Sequence, residues 1–280
     1  MSFVVRYPAD PLFTCTPRSG ARAYPLLFEA LEKSFMPSTP FSPRPNSVPE
    51  GVCPGPAGSI GELFDSVAPR YDFLNHLLSF GADRWWREKL VVTVRGRKPR
   101  RLLDLATGSG DLLRLLERHI EGLEEAWGVD VSASMLAMAR NKGLRHLIQA
   151  DALALPFAEG SFDAVTVAFG LRNFADRARA FAEMRRVLRP GGAAFILEFS
   201  RPWAWIAPSY FFYLEHLLPE IARFFGAPRE AYQYLASSIA AFPRPEELAR
   251  EMETAGFRLI RFLRLTGGIV ALHEGEKEAA

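Results

Sequence analysis

The chain has 280 residues, 49% of them hydrophobic, enough for one sizeable folded domain with appendages. Its 34 basic and 32 acidic residues leave a formal charge of +2, which excludes a global electrostatic pull toward nucleic acid or membrane. The two cysteines, Cys15 and Cys53, precede the main body, and five histidines are scattered; this excludes a disulfide framework, a thiol nucleophile or a cysteine-based metal site there and predicts a cytoplasmic protein with no metal.

Residues 1–58 differ from the rest. Met36 to Pro56 holds seven prolines among Ser, Thr and Gly, a composition that cannot bury enough apolar surface to fold. One short helix is expected around Leu26–Phe35. No basic stretch precedes an apolar core, so a signal peptide is not expected. Acids are few, as in a transit peptide, but so are arginines; translation from Met36 is the simpler alternative.

The second segment, 59–280, reads as one domain. Gly61 to Ala68 suggests a short helix stopped by Pro69. Tyr71 to Leu90 suggests two helices broken at Gly81, with Leu74, Leu77, Leu78, Trp85 and Trp86 on apolar faces. These helices either pack on a sheet or lid a pocket, and in the second case Tyr71, Asp72 and Asn75 face it.

The organising stretch is Arg101 to Asp111. An apolar strand, Arg101 to Ala106, runs into Thr107-Gly108-Ser109-Gly110, and a helical pattern follows at once, with Asp111 expected to cap it. No third glycine follows for a dinucleotide fingerprint, and no Gly-Lys-Ser/Thr for a P-loop. What fits is Asp104-x-Ala106-x-Gly108-x-Gly110 paired with an acid, Asp130, ending the strand Trp127–Val131. A carboxylate there can accept both ribose hydroxyls, the arrangement that holds S-adenosylmethionine (AdoMet).

Ser132 caps the next helix, through Arg140. Leu147 to Asp151 reads as the third strand, with Asp151 positioned to accept the adenine amino group and the Ala152 N–H to serve a ring nitrogen. Phe162 to Phe169 is a near-continuous apolar run, as a central parallel strand requires. Its exit carries Arg172 and Asn173, polar groups that a strand exit does not need. Asp176 to Leu188 is a helix, Arg189 to Gly192 a turn, and Ala193 to Phe199 the fifth strand, ending near Glu198. Phe257–Leu265 and Ile269–His273 form an antiparallel hairpin that closes a seven-stranded, mostly parallel α/β sheet. Before it lies an aromatic insert, about 203–242. Its longest uncharged run, Pro202 to Leu214, is shorter than the roughly 18 residues of a membrane span. Such an insert packs as core or lines a slot for a long apolar substrate; its surface also suits peripheral membrane contact or a homodimer.

From about residue 60 to 277 the chain resembles the C-methyltransferases of menaquinone and ubiquinone biosynthesis. The resemblance rests on FDSVAPRYDFLNHLLSFGADRWWR, DLATGSGD, QADALALPF, FGLRNF, RVLRPGGAAFILEFS and TGGIVALH. It implies a Rossmann-like class I AdoMet-dependent methyltransferase fold and methyl transfer to a ring carbon of a polyprenylated quinol, demethylmenaquinol being favoured over the ubiquinone-pathway benzoquinol. Ser109, Asp130, Asp151 and Ala152 fall on the family's cofactor positions. Ala168 stands where many members have a serine, and Asp83 where one form has histidine. The chemistry asks for groups that orient the quinol, for which Arg172, Asn173, Tyr71 and Asp72 are the candidates. It also asks for a base, for which Asp72, Glu198 and His216 are the candidates. Two other readings keep the same cofactor motifs: a methyltransferase for another apolar acceptor such as a sterol or amine, and a non-catalytic lipid-binding subunit.

Overall fold

A parallel sheet buried on both faces needs apolar residues at successive positions, because alternate side chains point to opposite faces. The stretch Arg101–Leu105 (β1) meets this, with four consecutive buried residues. The computed structural model describes residues 79, 81–224 and 229–279. The helices expected at 26–35 and 61–68, the first helix after Tyr71, the proline-rich stretch, and Tyr71 and Asp72 themselves lie outside these residues.

The remaining strands are β2 (Glu125–Asp130), β3 (Leu147–Gln149), β4 (Phe162–Ala168), β5 (Leu188–Phe199), β6 (Phe257–Leu265) and β7 (Val270–Lys277). The helices are α1 (Ala82–Gly96), α2 (Asp111–His119), α3 (Ala133–Asn141), α4 (Arg177–Val187), α5 (Ala207–Phe212), α6 (Leu218–Phe224), α7 (Arg229–Ala241) and α8 (Pro245–Thr254). The strands form one seven-stranded sheet in the order β3-β2-β1-β4-β5-β7-β6. Only β7 runs against its neighbours, lying between β5 and β6. The order reverses between β1 and β4, and ligands of such sheets collect outside the carboxyl ends at that reversal.

Each face has its own core. Leu103, Leu105, Val165, Val167 and Ile196 pack with Phe181, Met184 and Val187 of α4 and Leu248 and Met252 of α8. On the other face Leu102, Ala164, Phe195 and Leu197 pack with Trp86, Leu90 and Val94 of α1 and Leu112, Leu113 and Leu116 of α2. Gly81, at φ 78, sets the start of α1 where the break was expected.

Two local expectations are corrected. The N-cap of α2 is Gly110, with no side-chain cap; Asp111 instead pairs with Lys142 at 2.7 Å. The fifth strand begins at Leu188, because buried Leu188 already pairs with Phe162, and an irregularity in the ladder takes the place of the expected turn at 189–192.

The aromatic insert is helical. Between α5 and α6 the residues Tyr213–Leu217 form a π-turn, and the Leu218 N–H bonds the Tyr213 carbonyl. Pro219 follows directly. Its ring has no N–H and crowds the carbonyl four residues back, and a widened turn relieves that clash. Leu214, Leu218, Ala236 and Ile239 form a small third core under the insert, with Phe199, Tyr210 and Phe211 against it.

Candidate active site

Two strand exits meet at the reversal point. Ala106, after β1, and Phe169, after β4, both hold positive φ, 50° and 57°, an uncommon conformation for side-chain-bearing residues. Gly170 explains how close the exits come, since a Cβ there would stand 2.4 Å from the Ala106 Cβ. Among the described residues, those expected to bind or react lie on these exits, on those of β2, β3 and β5, or on the insert.

On one side is the glycine turn. The Thr107 N–H bonds the Val129 carbonyl at 3.0 Å, tying the turn to β2. Asp130, ending β2, accepts the Gly108 N–H at 2.8 Å through Oδ2 and the Ser132 N–H at 2.9 Å through Oδ1. Ser132 also caps α3, accepting from the Met135 N–H at 3.1 Å. The carboxylate is thus aimed by two backbone donors and is only half-buried. Its chain neighbours aside, no described atom lies within 4 Å of where a Cβ on Gly108 would stand, so space opens above the turn. An aimed half-buried acid beside open, side-chain-free backbone fits the ribose of AdoMet. Ser109 is buried and accepts from Lys142 Nζ at 3.0 Å, while the same ammonium holds Asp111. Lys142 had no signal in the sequence, since it meets the turn from the far end of α3.

Asp104 lies beneath the turn rather than at its rim. It is 1% exposed, and its carboxylate accepts the Thr107 hydroxyl at 2.7 Å and the Thr166 hydroxyl at 2.6 Å. Burial pushes its pKa up to about 6, against the opposing pull of those two hydroxyls. Its place in the motif is to brace Thr107 from below. Asp151 is exposed two residues past β3, and its Oδ1 caps the Leu153 N–H at 2.9 Å; Ala152 beside it is buried.

Across the reversal point, Leu171–Asn173 form one 3-10 turn after β4. Arg172 makes an ion pair with Glu198 at 2.9 Å, their side chains 7% and 1% exposed. Glu198 also accepts the backbone N–H groups of Phe199 at 2.9 Å and Arg172 at 3.2 Å. The guanidinium donates to the Phe169 carbonyl and lies 5.4 Å over the Phe199 ring. Two phenols of the insert approach this cation. Tyr234 donates to Asn173 Oδ1 at 3.1 Å. Burial raises the pKa of Tyr234 and carries that of Tyr210 well above the ordinary phenol range, and the Arg172 charge acts against the rise in both.

Of the candidate bases, Glu198 is bound up in this pair. His216 is exposed on the outside of the insert, stacked at 4.8 Å on Phe212. Asp83 is engaged by the Ser79 hydroxyl at 2.8 Å and by Arg87, so its place in the first signature is structural. Among the described residues no group of three or more His, Cys, Asp or Glu could hold a metal ion.

The ubiE/COQ5 methyltransferase family model matches residues 56–277. A protein of Thermus thermophilus named demethylmenaquinone methyltransferase is 46% identical over 221 residues, which is 77% of this chain and 100% of that one. A protein of Chromobacterium violaceum named ubiquinone/menaquinone biosynthesis C-methyltransferase UbiE is 42% identical over 226 residues, 79% of this chain and 93% of that one. Among solved structures, a SAM-dependent methyltransferase of Thermotoga maritima, described as a possible histamine N-methyltransferase, aligns with a TM-score of 0.56 at 20% identity, over 78% of this chain and 99% of that one. That likeness concerns the fold alone. With a match across nearly the whole described region and relatives this similar, the chain belongs to the ubiE/COQ5 methyltransferase family and is an AdoMet-dependent C-methyltransferase of quinone biosynthesis.

Proposed function

We propose that the chain methylates a ring carbon of a polyprenylated quinol, with demethylmenaquinol the favoured acceptor. The observation that carries this reading is the buried Arg172–Glu198 pair, set beside Asn173 and two insert phenols. A ring carbon becomes nucleophilic when its neighbouring hydroxyl loses a proton, and a fixed cation lowers the energy of the resulting phenolate. Bound AdoMet supplies an electrophilic methyl group.

In this reading Asp130 accepts the ribose hydroxyls, Asp151 the adenine amino group, and the Ala152 N–H serves a ring nitrogen. Gly108, Ser109 and Gly110 shape the turn, and Asp104 supports it. Arg172 and Asn173 orient the quinol oxygen, and Tyr71 and Asp72 are assigned to the same task. Arg172 cannot act as an ordinary base, and Glu198 is already committed to it, so Asp72 takes the hydroxyl proton, directly or through water. Orientation and exclusion of water do most of the work, because charge is neutralised along the path.

We further propose that residues 1–58 are an extension dispensable for turnover and 59–280 the catalytic domain; a family match beginning at residue 56 supports this boundary. Among the described residues no helix is long and apolar enough to cross a membrane. Trp203, Trp205, Phe212 and Leu217 are exposed on the insert, Trp205 at 61%. They support a cytoplasmic protein that touches a bilayer through the insert to draw in its tailed substrate; the same surface would serve a homodimer. The experiment is mass spectrometry of products after incubation with AdoMet and each demethylated quinol. Methylation of a sterol or amine in place of any quinol would overturn the reading.

A further inference from the structure

The hydrogen bond between Tyr234 and Asn173 joins residues 61 positions apart. Both ends are held independently of it. Tyr234 stands on α7, which is seated by buried Ala236 and Ile239 and tied to the end of β5 by the bond from Arg201 to the Ala240 carbonyl at 2.8 Å. Asn173 closes the 3-10 turn, its N–H bonded to the Gly170 carbonyl at 3.0 Å, while Glu198 holds the preceding backbone N–H. A carboxamide has an accepting end and a donating end, and nothing in its shape distinguishes them. A phenol can donate or accept, but the Arg172 cation close by attracts its lone pairs and so directs its O–H toward Oδ1, which turns the NH2 group away from it. Burial raises the pKa of that phenol, which keeps its proton in place at neutral pH.

We propose that Tyr234 is a positioning residue for methyl transfer: by donating to Asn173 Oδ1 it fixes the amide so that its NH2 group faces the acceptor's ring oxygen, beside the Arg172 guanidinium. This rests on the quinol reading given above. Negative charge develops on that oxygen only as the reaction proceeds. An amide locked donor-first stabilises it, whereas one free to flip would present its own oxygen and repel it. The gain is therefore specific to the transition state, and a loss should fall on kcat rather than on KM. The bond also makes the site depend on the insert, since α7 must be seated before Asn173 is oriented.

The test uses the full chain, AdoMet and a short-tailed demethylated menaquinol, with four proteins: the parent, Tyr234→Phe, Asn173→Ala and the double variant. Tyr234→Phe keeps the ring and removes one oxygen. It should lower kcat about tenfold, the scale of one neutral hydrogen bond. KM, AdoMet affinity by calorimetry and melting temperature should stay unchanged. In the Asn173→Ala background the same substitution should have no further effect, because the group it acts through is gone. An unchanged kcat overturns the proposal. So does an equal fractional loss in both backgrounds, or a loss that tracks a lowered melting temperature. A parent that methylates no quinol overturns the functional reading and the proposal together; a parent that does so while the cycle is additive overturns the proposal alone.

Discussion

Two carboxylates, each 1% exposed, lie on strands that flank β4, and the chain handles their charge in opposite ways. Asp104, under the glycine turn, is held by two neutral hydroxyls. Glu198, at the exit of β5, is held by a guanidinium and two backbone N–H groups. Hydroxyl donors only partly offset desolvation, so Asp104 titrates near neutrality; a cation offsets it more fully but must then be buried as well. The cofactor half thus has a turn braced from below by an acid held through neutral hydroxyls, and the acceptor half a buried ion pair whose cation is fixed in place. That suits their proposed tasks, since a ribose is neutral and a quinol oxygen becomes an anion.

The largest effect should come from breaking the pair. Glu198→Ala leaves the Arg172 cation buried without its partner and should cost about 3–5 kcal/mol of stability in urea unfolding, with methyl transfer lost. A loss below about 1 kcal/mol, as for an exposed pair, would show that water reaches Arg172. Asp104 gives the opposite signature. Its folded pKa, about 6, lies above the ordinary aspartate value of 3.8. Its contribution is therefore fully present below about pH 4 and is lost as pH rises through about 6. Relative to Asp104→Asn, the parent should lose about 3 kcal/mol between about pH 3 and pH 7, some two-thirds of it between about pH 4 and 6. Parallel stability curves for the two proteins would mean Asp104 is not desolvated.

Asp130→Ala sharpens the comparison on the ligand side. It removes the acceptor proposed for the two ribose hydroxyls and should weaken AdoMet binding by about 1–3 kcal/mol in calorimetry, leaving the fold intact. Unchanged affinity would remove Asp130 from the site. The smallest effect on folding belongs to Phe212, 55% exposed on the insert. Phe212→Ala should shift stability by less than about 0.5 kcal/mol, yet reduce sedimentation with phospholipid vesicles. Unchanged sedimentation would argue against bilayer contact through that ring.

The cofactor half was legible because its contacts are local or follow strand logic. The turn, Asp130 and the Ser132 cap all sit within a few residues of the strand ends that place them. What escaped notice there was reach: Thr166 meets Asp104 through strand register, and Lys142 meets Ser109 across 33 positions. The acceptor half depends on such reach almost entirely. Arg172 and Asn173 stood out as polar residues without local purpose, but their partners Glu198 and Tyr234 lie 26 and 61 positions away. The aromatic run was noticed as a group, while its inward and outward rings were not separated. Phe212 points to solvent, whereas Tyr210 approaches Arg172.

Residues two apart on a helix face nearly opposite ways, about 200° round, and the π-turn before Pro219 keeps the inward side in line beyond Phe212. Residues spaced four apart drift by about 40° per step around an ordinary helix, because four residues exceed one turn. Tyr210 and Leu214, then Leu218, are spaced in this way, and the wide turn takes up the excess so that all three serve one side. The insert is consequently keyed like a ratchet. Losing a single residue there would restore a regular helix and leave everything downstream in register, whereas adding one would turn it by about 100° and bring Leu218 out from under α7.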